Sequence, residues 1–454
     1  MSARAPGAGP ARSPRTARDV ARAVLARVDQ GAYATAALDG ELGRSGLDDR
    51  DRRLAAELVY GALRHRARLE RALAAHADLG RAPPPVRHAL LVAAHQLLLL
   101  RVPAHAAVDD AVGAVRARHG ARLAGFVNAV LRKLAAAGEP PLPDEPRARL
   151  AVEASLPAWI VDELAAQLPA DELAAAARAL AEPPPLWVRV NPTRATAEQV
   201  AARLAAEGGS VEPSPLVAGA LQVRGLGDPA ASPSFAAGLW TVQDLGAQIV
   251  GLLAAPDVGG AALDACAGLG GKTTHLAELA AAAGRPLAID ALDRAAAKLR
   301  RLEGAARRLG LSGFRTVDAA LAPDTPGLAP AYPLVLLDAP CSGLGVLRRH
   351  PEAKARLTPA DVRALAGTQA ALLAAAAARV APGGALVYAV CTFTAAEGPA
   401  QLEAFLAAHP GFAVEPPPPA LAAVTEGGAV RTWPHRHGAD GFFAVRLRRA
   451  MLPP

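Results

Sequence analysis

Residues 261–279 read AALDACAGLGGKTTHLAEL, and this stretch decides the fold of the second half of the chain. Its first six residues predict a buried strand, a glycine-rich loop follows, and a helix is predicted after the loop. Three further apolar strands, with helices between them, are PLAIDALD (286–293), LVLLDAP (334–340) and ALVYAVC (385–391). Strands that alternate with helices predict an α/β fold with a parallel sheet, which binds ligands at the carboxyl ends of its strands.

The glycine loop is compatible with two classes of ligand. A phosphate-binding loop has the spacing G-x-x-x-x-G-K-[ST]; GKT (271–273) fits its end, but Cys266 stands where its first glycine belongs. LLDAP (336–340) would then imitate the acidic strand of an ATPase. A nucleoside methyl donor needs only a close approach of the backbone, and residues 264–270 have the spacing D-x-x-x-G-x-G. The loop alone favours the methyl donor without excluding a nucleotide phosphate.

A methyl donor of this kind also needs an acidic residue after the second strand, where it holds the ribose hydroxyls. Asp293, the last residue of PLAIDALD, suits this position best. Asp290 on the same strand remains an alternative.

The three cysteines of the chain, Cys266, Cys341 and Cys391, all lie at predicted strand ends. A single buried cysteine is often only core, but each of these is flanked by Asp, Pro, Gly or Thr at a ligand-facing end. A thiolate that adds to C6 of cytosine makes C5, a poor nucleophile, able to accept a methyl group. Asp338 is placed to stabilise the shift of charge, and a second thiol would help to eliminate the first. The target base must be unstacked to enter such a pocket.

These motifs resemble the Nop/Sun family of RNA 5-methylcytosine methyltransferases. The family's donor loop D-A-C-A-A-P-G-G-K-T is DACAGLGGKT (264–273) here, and its D-A-P-C-S-G-x-G-x-x-R-R-x-P block is DAPCSGLGVLRRHP (338–351). Its Y-x-T-C-S block is YAVCT (388–392), and its D-G-F-F is DGFF (440–443). The resemblance implies a class I, Rossmann-like methyltransferase domain over residues 241–454 that uses S-adenosyl-L-methionine.

The resemblance implies a role for each matching residue. Cys391 would be the nucleophile, Cys341 would assist product release, and Asp338 would contact the cytosine. The methyl-donor site would consist of the loop and three acidic residues: Cys266, Ala267, Gly268, Leu269, Gly270, Gly271, Lys272, Asp293, Asp318 and Asp338. Contacts to RNA would come from Arg348, Arg349 and His350.

Two departures from the family pattern affect the site. Gly268 and Leu269 replace Ala-Pro in the donor loop, so the local turn is expected to differ. Val390 and Thr392 replace Thr and Ser around the nucleophile. Both site cysteines and Asp338 are kept, which predicts an active enzyme. The family's D-x5-L-x10-G spacing, which here joins Asp293 to a leucine and a glycine (299 and 310), supports Asp293 in the donor site.

The first third of the chain predicts only helices. Helical spacing of apolar residues is present at 19–28, 49–64 and 84–100, and two further helices are expected at 104–119 and 122–136. Residues 16–136 resemble a NusB-like RNA-binding domain, which in one branch of the family precedes the catalytic part. The matching stretches are VPAHAAVDDAV (102–112) and FVNAVLRKL (126–134).

Between the helical and catalytic domains we expect a linker at 137–146, which is rich in proline, and a small α/β connector at 147–240. LWVRVN (186–191) predicts a strand of this connector, and a capped helix is predicted after it. RVNPT (189–193) and VQD (242–244) match the connecting region of the family. Residues 1–15 are expected to form a disordered basic tail, with a transit peptide as the alternative.

Charge is unevenly distributed along the chain. Residues 1–140 contain 22 Lys/Arg and 13 Asp/Glu, or +9, and the remaining 27 Lys/Arg and 29 Asp/Glu give −2, so the whole chain carries +7. A basic first third is typical of an anionic partner, with a solvated Arg-rich surface as the alternative; the resemblance implies that the partner is 16S ribosomal RNA. The Arg-rich helix at 298–309 is more simply a solvated helix face than an RNA contact.

Other classes of protein are not favoured by the sequence. No uncharged, proline-free apolar run reaches about 18 residues, so no membrane span is predicted. The cysteines form neither a disulfide framework nor a zinc pair, which fits the cytoplasm. His435, His437 and Asp440 could imitate a metal site, but without a third convincing ligand no metal is predicted. We expect a monomeric 16S rRNA cytosine-C5 methyltransferase; a P-loop ATPase and a non-catalytic RNA-binding protein are the alternatives.

Overall fold

The computed structural model describes residues 15–254 and 259–451. It divides into two compact units: the first runs to Ala158 and includes His350–Ala355, and the second comprises Trp159–Arg349 and the chain from Arg356 onward. The predicted basic tail lies, except for Arg15, outside the described residues.

The described part of the first unit is mainly helical, as the sequence predicts; apolar spacing predicts its longer helices, whereas three shorter ones, of 8 or 9 residues, were not predicted. In chain order the α-helices up to residue 153 are α1 (Ala17–Asp29), α2 (Ala34–Leu42), α3 (Asp49–Arg64), α4 (Arg66–Ala74), α5 (Pro84–Leu98), α6 (Ala104–Ala137) and α7 (Pro146–Glu153). Helix α5 is buried on most of its surface, which explains its nearly continuous apolar sequence. Within α6, Gly120 has φ 85° and ψ 171°, so the two helices predicted there are confirmed as two helical segments separated at this glycine.

The first compact unit extends beyond the helical domain that the sequence predicts at 16–136. Helix α7 falls inside the predicted connector, yet the first unit continues to Ala158. Arg68 accounts for this, because its backbone N–H donates to Ser155 Oγ (3.2 Å) and its guanidinium pairs with Glu139 (2.6 Å). Both partners lie beyond the end of α6 and bind the following segment to α4.

The second unit begins with a small α/β domain. Its elements are α8 (Ala158–Gln167), α9 (Leu173–Leu180), β1 (Leu186–Val190), α10 (Ala197–Ala206), β2 (Ser210–Pro213), β3 (Ala220–Arg224), α11 (Pro233–Ala236) and β4 (Trp240–Val242). The four strands form an antiparallel sheet in the order β2-β3-β1-β4. The predicted strand and capped helix are confirmed as β1 and α10, which starts with a capping box between Thr196 and Gln199.

The rest of the second unit is a larger α/β domain. Its elements in chain order are α12 (Leu245–Ala254), β5 (Gly260–Asp264), α13 (Gly271–Ala282), β6 (Leu287–Asp293), α14 (Ala296–Leu309), β7 (Phe314–Asp318), β8 (Tyr332–Asp338), α16 (Pro359–Ala378), β9 (Val380–Val390), α17 (Pro399–Ala408), β10 (Phe412–Glu415), β11 (Thr425–Glu426), β12 (Ala429–Thr432), α18 (Pro434–His437) and β13 (Phe442–Arg449). Helix α15 (Ala353–Arg356) follows β8 in the chain, but all of it except its last residue is counted with the first unit. The four predicted strands are confirmed as β5, β6, β8 and β9.

The large sheet has the order β11-β12-β13-β9-β8-β5-β6-β7, and β10 pairs with β13. Strands β5 to β9 are parallel, and β13 runs antiparallel to β9. The chain proceeds from β5 to one edge of the sheet and then returns to β8 on the other side of β5. Strand order therefore reverses between β5 and β8, and a ligand-binding crevice is expected at their carboxyl ends. None of the described helices is long and apolar enough to cross a membrane.

Candidate active site

The carboxyl ends of β8 and β9 bring two cysteines into contact. Cys341 and Cys391 are 50 residues apart in sequence, yet their Sγ atoms lie 3.3 Å from each other. The backbone N–H of Gly345 donates to the carbonyl oxygen of Cys391 (3.0 Å), which ties the loop after β8 to the end of β9. The two thiols therefore share one hydrogen bond at the place where the sequence expected both of them.

The environment of Cys341 favours its thiol form. Its hydrogen bond with Cys391 raises the pKa of Cys341 well above the usual range, and burial and the negative charge of Glu397 raise it further. At neutral pH Cys341 therefore carries its proton next to the sulfur of Cys391.

A partly buried ion pair lies near Cys391. Lys272, in the first turn of α13, donates from Nζ to Asp338 Oδ2 at 2.5 Å. Burial alone would lower the pKa of Lys272, but the charges of Asp338, of a Cys391 thiolate and of Asp264 outweigh it, so that the pKa is raised. The side chain of Asp338 remains about one-third exposed (31%), and Lys272 also lies 5.3 Å from the ring centre of Phe442. Lys272 thus holds the Asp338 carboxylate in the crevice.

The donor loop depends on two glycines with positive φ. Gly268 has φ +54° and Gly270 has φ +83°, and a Cβ at Gly270 would lie 2.3 Å from a side-chain carbon of Leu302. Gly268 therefore forms a left-handed turn at the position where the family sequence has Ala-Pro. The backbone N–H of Gly268 donates to Asp293 Oδ2 (3.0 Å), which joins the loop to the end of β6.

The structure distinguishes the two acidic residues of β6. Asp290 accepts two hydrogen bonds from Arg315 (2.9 Å each) and one from the Tyr332 hydroxyl (2.6 Å). Asp293, by contrast, lies at the donor loop, with the exposed Asp318 opposite it at the end of β7. Geometry therefore favours Asp293 over Asp290 as a ligand-facing carboxylate.

The loop after β5 also contains buried polar groups. Burial, with the nearby charges of Asp264, Asp338 and Asp293, raises the pKa of Cys266 to about 12, so this thiol is not an effective nucleophile. Asp264 accepts a hydrogen bond from Thr273 Oγ1 (2.6 Å), and burial raises its pKa to about 6. Its Oδ1 is buried and makes no hydrogen bond within the described part of the chain.

The arginines that were expected to contact RNA take part in a buried ion cluster. Arg348 donates to Asp440 Oδ1 (3.1 Å), and Arg349 donates to Asp440 Oδ2 (2.5 Å) and to Asp244 (2.7 Å). The side chain of Arg348 is only 5% exposed. These contacts fasten the loop after β8 to the start of β13, and RNA binding by the two arginines stays a prediction. His350, counted with the first unit, lies with its ring centre 6.5 Å from that of Tyr33.

The histidines of the sequence HRH have structural partners. His435 Nε2 lies 2.8 Å from Glu172 Oε2, and the backbone N–H of Trp433 donates to His437 Nδ1 (2.9 Å). Among the residues that the structure describes, no group of three side chains is arranged to hold a metal ion.

Arg189, the first residue of RVNPT, is a positioning residue that the sequence did not indicate as part of the site. It is buried and forms a two-bond ion pair with Glu278 of α13 (2.8 and 3.0 Å). It also donates to the carbonyl oxygen of Gly271 (2.8 Å) and to Gln243 Oε1. The connector strand β1 thereby supports the first turn of α13, which carries Lys272. The sequence signal that could have indicated this role is the presence of an arginine in an otherwise apolar strand.

Three family descriptions match successive parts of the chain. Residues 15–136 match the NusB family, residues 156–228 match the ferredoxin-like domain of RsmF/B-like methyltransferases, and residues 252–448 match the family described as 16S rRNA methyltransferase RsmB/F. Probable ribosomal RNA small subunit methyltransferase B of Synechocystis sp. is 35% identical over 96% of this chain and 100% of its own length. The enzyme of that name from Xylella fastidiosa is 36% identical over 94% of this chain and 98% of its own length.

The chain belongs to the RsmB/F family of 16S rRNA methyltransferases. The expected family and the Rossmann-like fold with a NusB-like helical domain are thus confirmed. Among solved structures, PH0851 matches with a TM-score of 0.81 and 25% identity over 97% of this chain and 99% of that one. NSun6 from Pyrococcus horikoshii, at a TM-score of 0.56 and 20% identity over 65% of this chain and 99% of that one, shares the fold. In this RsmB/F member the lysine of the donor loop, Lys272, contacts Asp338 at the end of β8.

Proposed function

We propose that this RsmB/F member methylates C5 of a cytosine in 16S ribosomal RNA, with Cys391 as the nucleophile. The observation that carries the proposal is the 3.3 Å contact between Cys341 and Cys391. A pair of thiols next to the Lys272–Asp338 ion pair suits covalent catalysis on a base. Relatives named ribosomal RNA small subunit methyltransferase B, which align over nearly their whole length, support the choice of RNA.

The residues around the donor loop fit S-adenosylmethionine. Gly268 and Gly270 have no side chain, so the backbone of the loop at 266–272 can lie close to a ligand. Asp293 provides a carboxylate for the ribose hydroxyls. Asp318 lies beside it, and the unpaired Oδ1 of Asp264 is a buried acceptor in the same region. When bound there, S-adenosylmethionine supplies an electrophilic methyl group.

The chain's own residues account for the remaining chemistry. The Cys391 thiolate forms a bond to C6 of cytosine, and the electron pair of the C5–C6 double bond moves to C5, which becomes the nucleophile. Asp338, held by Lys272, accepts a hydrogen bond from the amino group of the base and so positions the ring, and the Lys272 ammonium offsets the negative charge of the adduct. After C5 is methylated, its proton passes to solvent water, the electron pair of the C5–H bond re-forms the C5–C6 double bond, and the electron pair of the S–C6 bond returns to the Cys391 sulfur. Cys341, which carries a proton at 3.3 Å, donates a hydrogen bond to the departing sulfur.

The test of the proposed function is a methylation map of ribosomal RNA. Bisulfite sequencing of 16S rRNA from a strain without this gene should show one cytosine that is no longer protected from conversion. Expression of the unaltered chain should restore protection, and the Cys391→Ala variant should not. An identical map with and without the gene contradicts the proposal.

The choice of Asp293 predicts a specific effect on the methyl donor. Asp293→Ala is expected to raise the KM for S-adenosylmethionine roughly ten- to a hundred-fold, because hydrogen bonds to a charged group contribute about 1.5–3 kcal/mol. Titration calorimetry and initial rates at saturating RNA measure this change.

Asp290→Ala is the matched control on the same strand. It removes the contacts with Arg315 and Tyr332, so it is expected to lower the melting temperature while the KM for the methyl donor changes less than about twofold. A larger rise in KM for Asp290→Ala than for Asp293→Ala would reverse the assignment.

A further inference from the structure

A fully buried carboxylate, which sequence reasoning missed, lies between the two cysteine loops. Glu397 follows β9 in the segment before α17, and its side chain is shielded from solvent. Oε1 accepts from the backbone N–H of Ser342 (2.7 Å) and from Gln369 Nε2 (3.0 Å). Oε2 accepts from Ser342 Oγ (2.5 Å) and Thr394 Oγ1 (2.9 Å). These four donors are neutral, so the carboxylate is held by hydrogen bonds.

The partners of this carboxylate adjoin both cysteines in the chain. Ser342 directly follows Cys341, and both its backbone N–H and its hydroxyl are bound to Glu397. The Ser342 hydroxyl also lies 2.9 Å from the hydroxyl of Thr392, which directly follows Cys391. One buried carboxylate therefore fixes the backbone next to one thiol and, through a shared hydroxyl, the side chain next to the other.

Two further contacts make this arrangement rigid. Gln369 of α16 donates from the same Nε2 to the carbonyl oxygen of Pro340 (3.0 Å), on the other side of Cys341. The Tyr388 hydroxyl of β9 donates to the backbone carbonyl of Glu397 (2.6 Å). The loop that carries Cys341 is thus clamped before and after the cysteine.

We propose that Glu397 is a positioning residue of the methyl-transfer reaction, which holds Cys341 against Cys391 for product release. The inference rests on the proposed function, in which Cys391 attacks the base and Cys341 assists its departure. Glu397 has no contact with the reacting atoms; it acts through the loop of Cys341.

The charge of Glu397 has a second consequence for the same thiol. It contributes, after the hydrogen bond with Cys391 and after burial, to the raised pKa of Cys341. Two other titratable side chains face this carboxylate, Tyr388 of β9 and Glu163 of α8. Burial, and after it the charge of Glu397, raises the pKa of Glu163. The surroundings of Glu397 therefore favour a protonated Cys341.

The experiment compares adduct formation with turnover in the Glu397→Gln variant of the full chain. Glutamine keeps the size of the side chain but loses the charge and one pair of acceptor positions. We expect kcat to fall roughly ten- to a hundred-fold, because the Cys341 thiol is no longer held in its reactive position. The KM for S-adenosylmethionine should change less than about twofold. The covalent RNA adduct should accumulate, because release is slowed and attack by Cys391 is not.

A double-variant comparison separates positioning from general damage. In the Cys341→Ala background, Glu397→Gln should not change the adduct level further, because its partner in the reaction is already absent. A parallel loss of adduct formation and turnover in both backgrounds overturns the proposal. Glu403→Gln, the same change at an exposed site on α17, should leave all these values unchanged.

A thiol-labelling measurement remains informative if methyl transfer itself is not found. With iodoacetamide the attacking sulfur gains a carbon bond and iodide leaves, and peptide mass spectrometry distinguishes the two cysteines. Glu397→Gln should increase the alkylation rate of Cys341 about fivefold or more and that of Cys391 less than about twofold. Equal changes at both cysteines contradict the proposal. Ser342→Ala, which removes only the shared hydroxyl, should act in the same direction if Glu397→Gln does not fold.

Discussion

Cys391→Ala is expected to abolish methyl transfer, whereas Cys341→Ala is expected to trap the protein on its RNA. Without the nucleophile the rate should fall by about 10⁴-fold or more, and no adduct should form. Without Cys341 the adduct still forms, but the departing sulfur of Cys391 loses the hydrogen bond that the 3.3 Å contact provides. Incubation with labelled 16S rRNA and S-adenosylmethionine, followed by a denaturing gel, measures the adduct.

The third cysteine provides the control for this experiment. Cys266 is half-buried in the donor loop and its pKa is raised to about 12, so Cys266→Ala should not trap an adduct. The Cys341→Ala, Cys391→Ala double variant should not form one either. An adduct with Cys391→Ala and none with Cys341→Ala would exchange the roles of the two thiols.

Asp338→Asn is expected to lower kcat by about 10²- to 10⁴-fold. The amide is a weaker acceptor than the carboxylate for the amino group of the base, so the cytosine is held less firmly in the reactive position. The substitution also removes the partner at 2.5 Å of the Lys272 ammonium; because Asp338 is about one-third exposed, we expect the free energy of unfolding to fall by about 1–3 kcal/mol. Single-turnover rates and urea unfolding measure the two effects.

A double variant separates the chemical effect from the structural effect. Lys272→Met together with Asp338→Asn removes both charges, so most of the lost stability should return. Activity should remain low, because the carboxylate at the cytosine is still absent. Recovery of activity together with stability would mean that Asp338 serves the fold and not the reaction.

Local features of the fold were predictable because their signals lie within a few residues of one another. The strand, glycine loop and helix at 261–279 are such a case, since apolar runs and positive-φ glycines act on their own neighbourhood. Strand β13, with the sequence FFAVRLRR, was not predicted, because its arginines interrupt the apolar pattern of a buried strand. Pairing with β9 nevertheless buries most of it.

The identity of the site residues was more predictable than their partners. Both site cysteines and Asp338 were expected at strand ends, and they lie there. The ion cluster of Arg348 and Arg349 and the clamp formed by Glu397 were not foreseen. Each depends on residues from loops that are far apart in sequence, and no periodicity within one segment indicates such a contact.

By itself the sequence determined the alternation of strands and helices, the position of the glycine loop and the placement of three cysteines at strand ends, because these follow from local patterning. Only the tertiary structure decided that Cys341 and Cys391 touch, that Lys272 holds Asp338, and that Asp293 and not Asp290 adjoins the donor loop. The physical reason is the order of strands. The return of the chain from β7 to β8 places β8 beside β5, and this crossing brings the three loops together at one edge of the sheet.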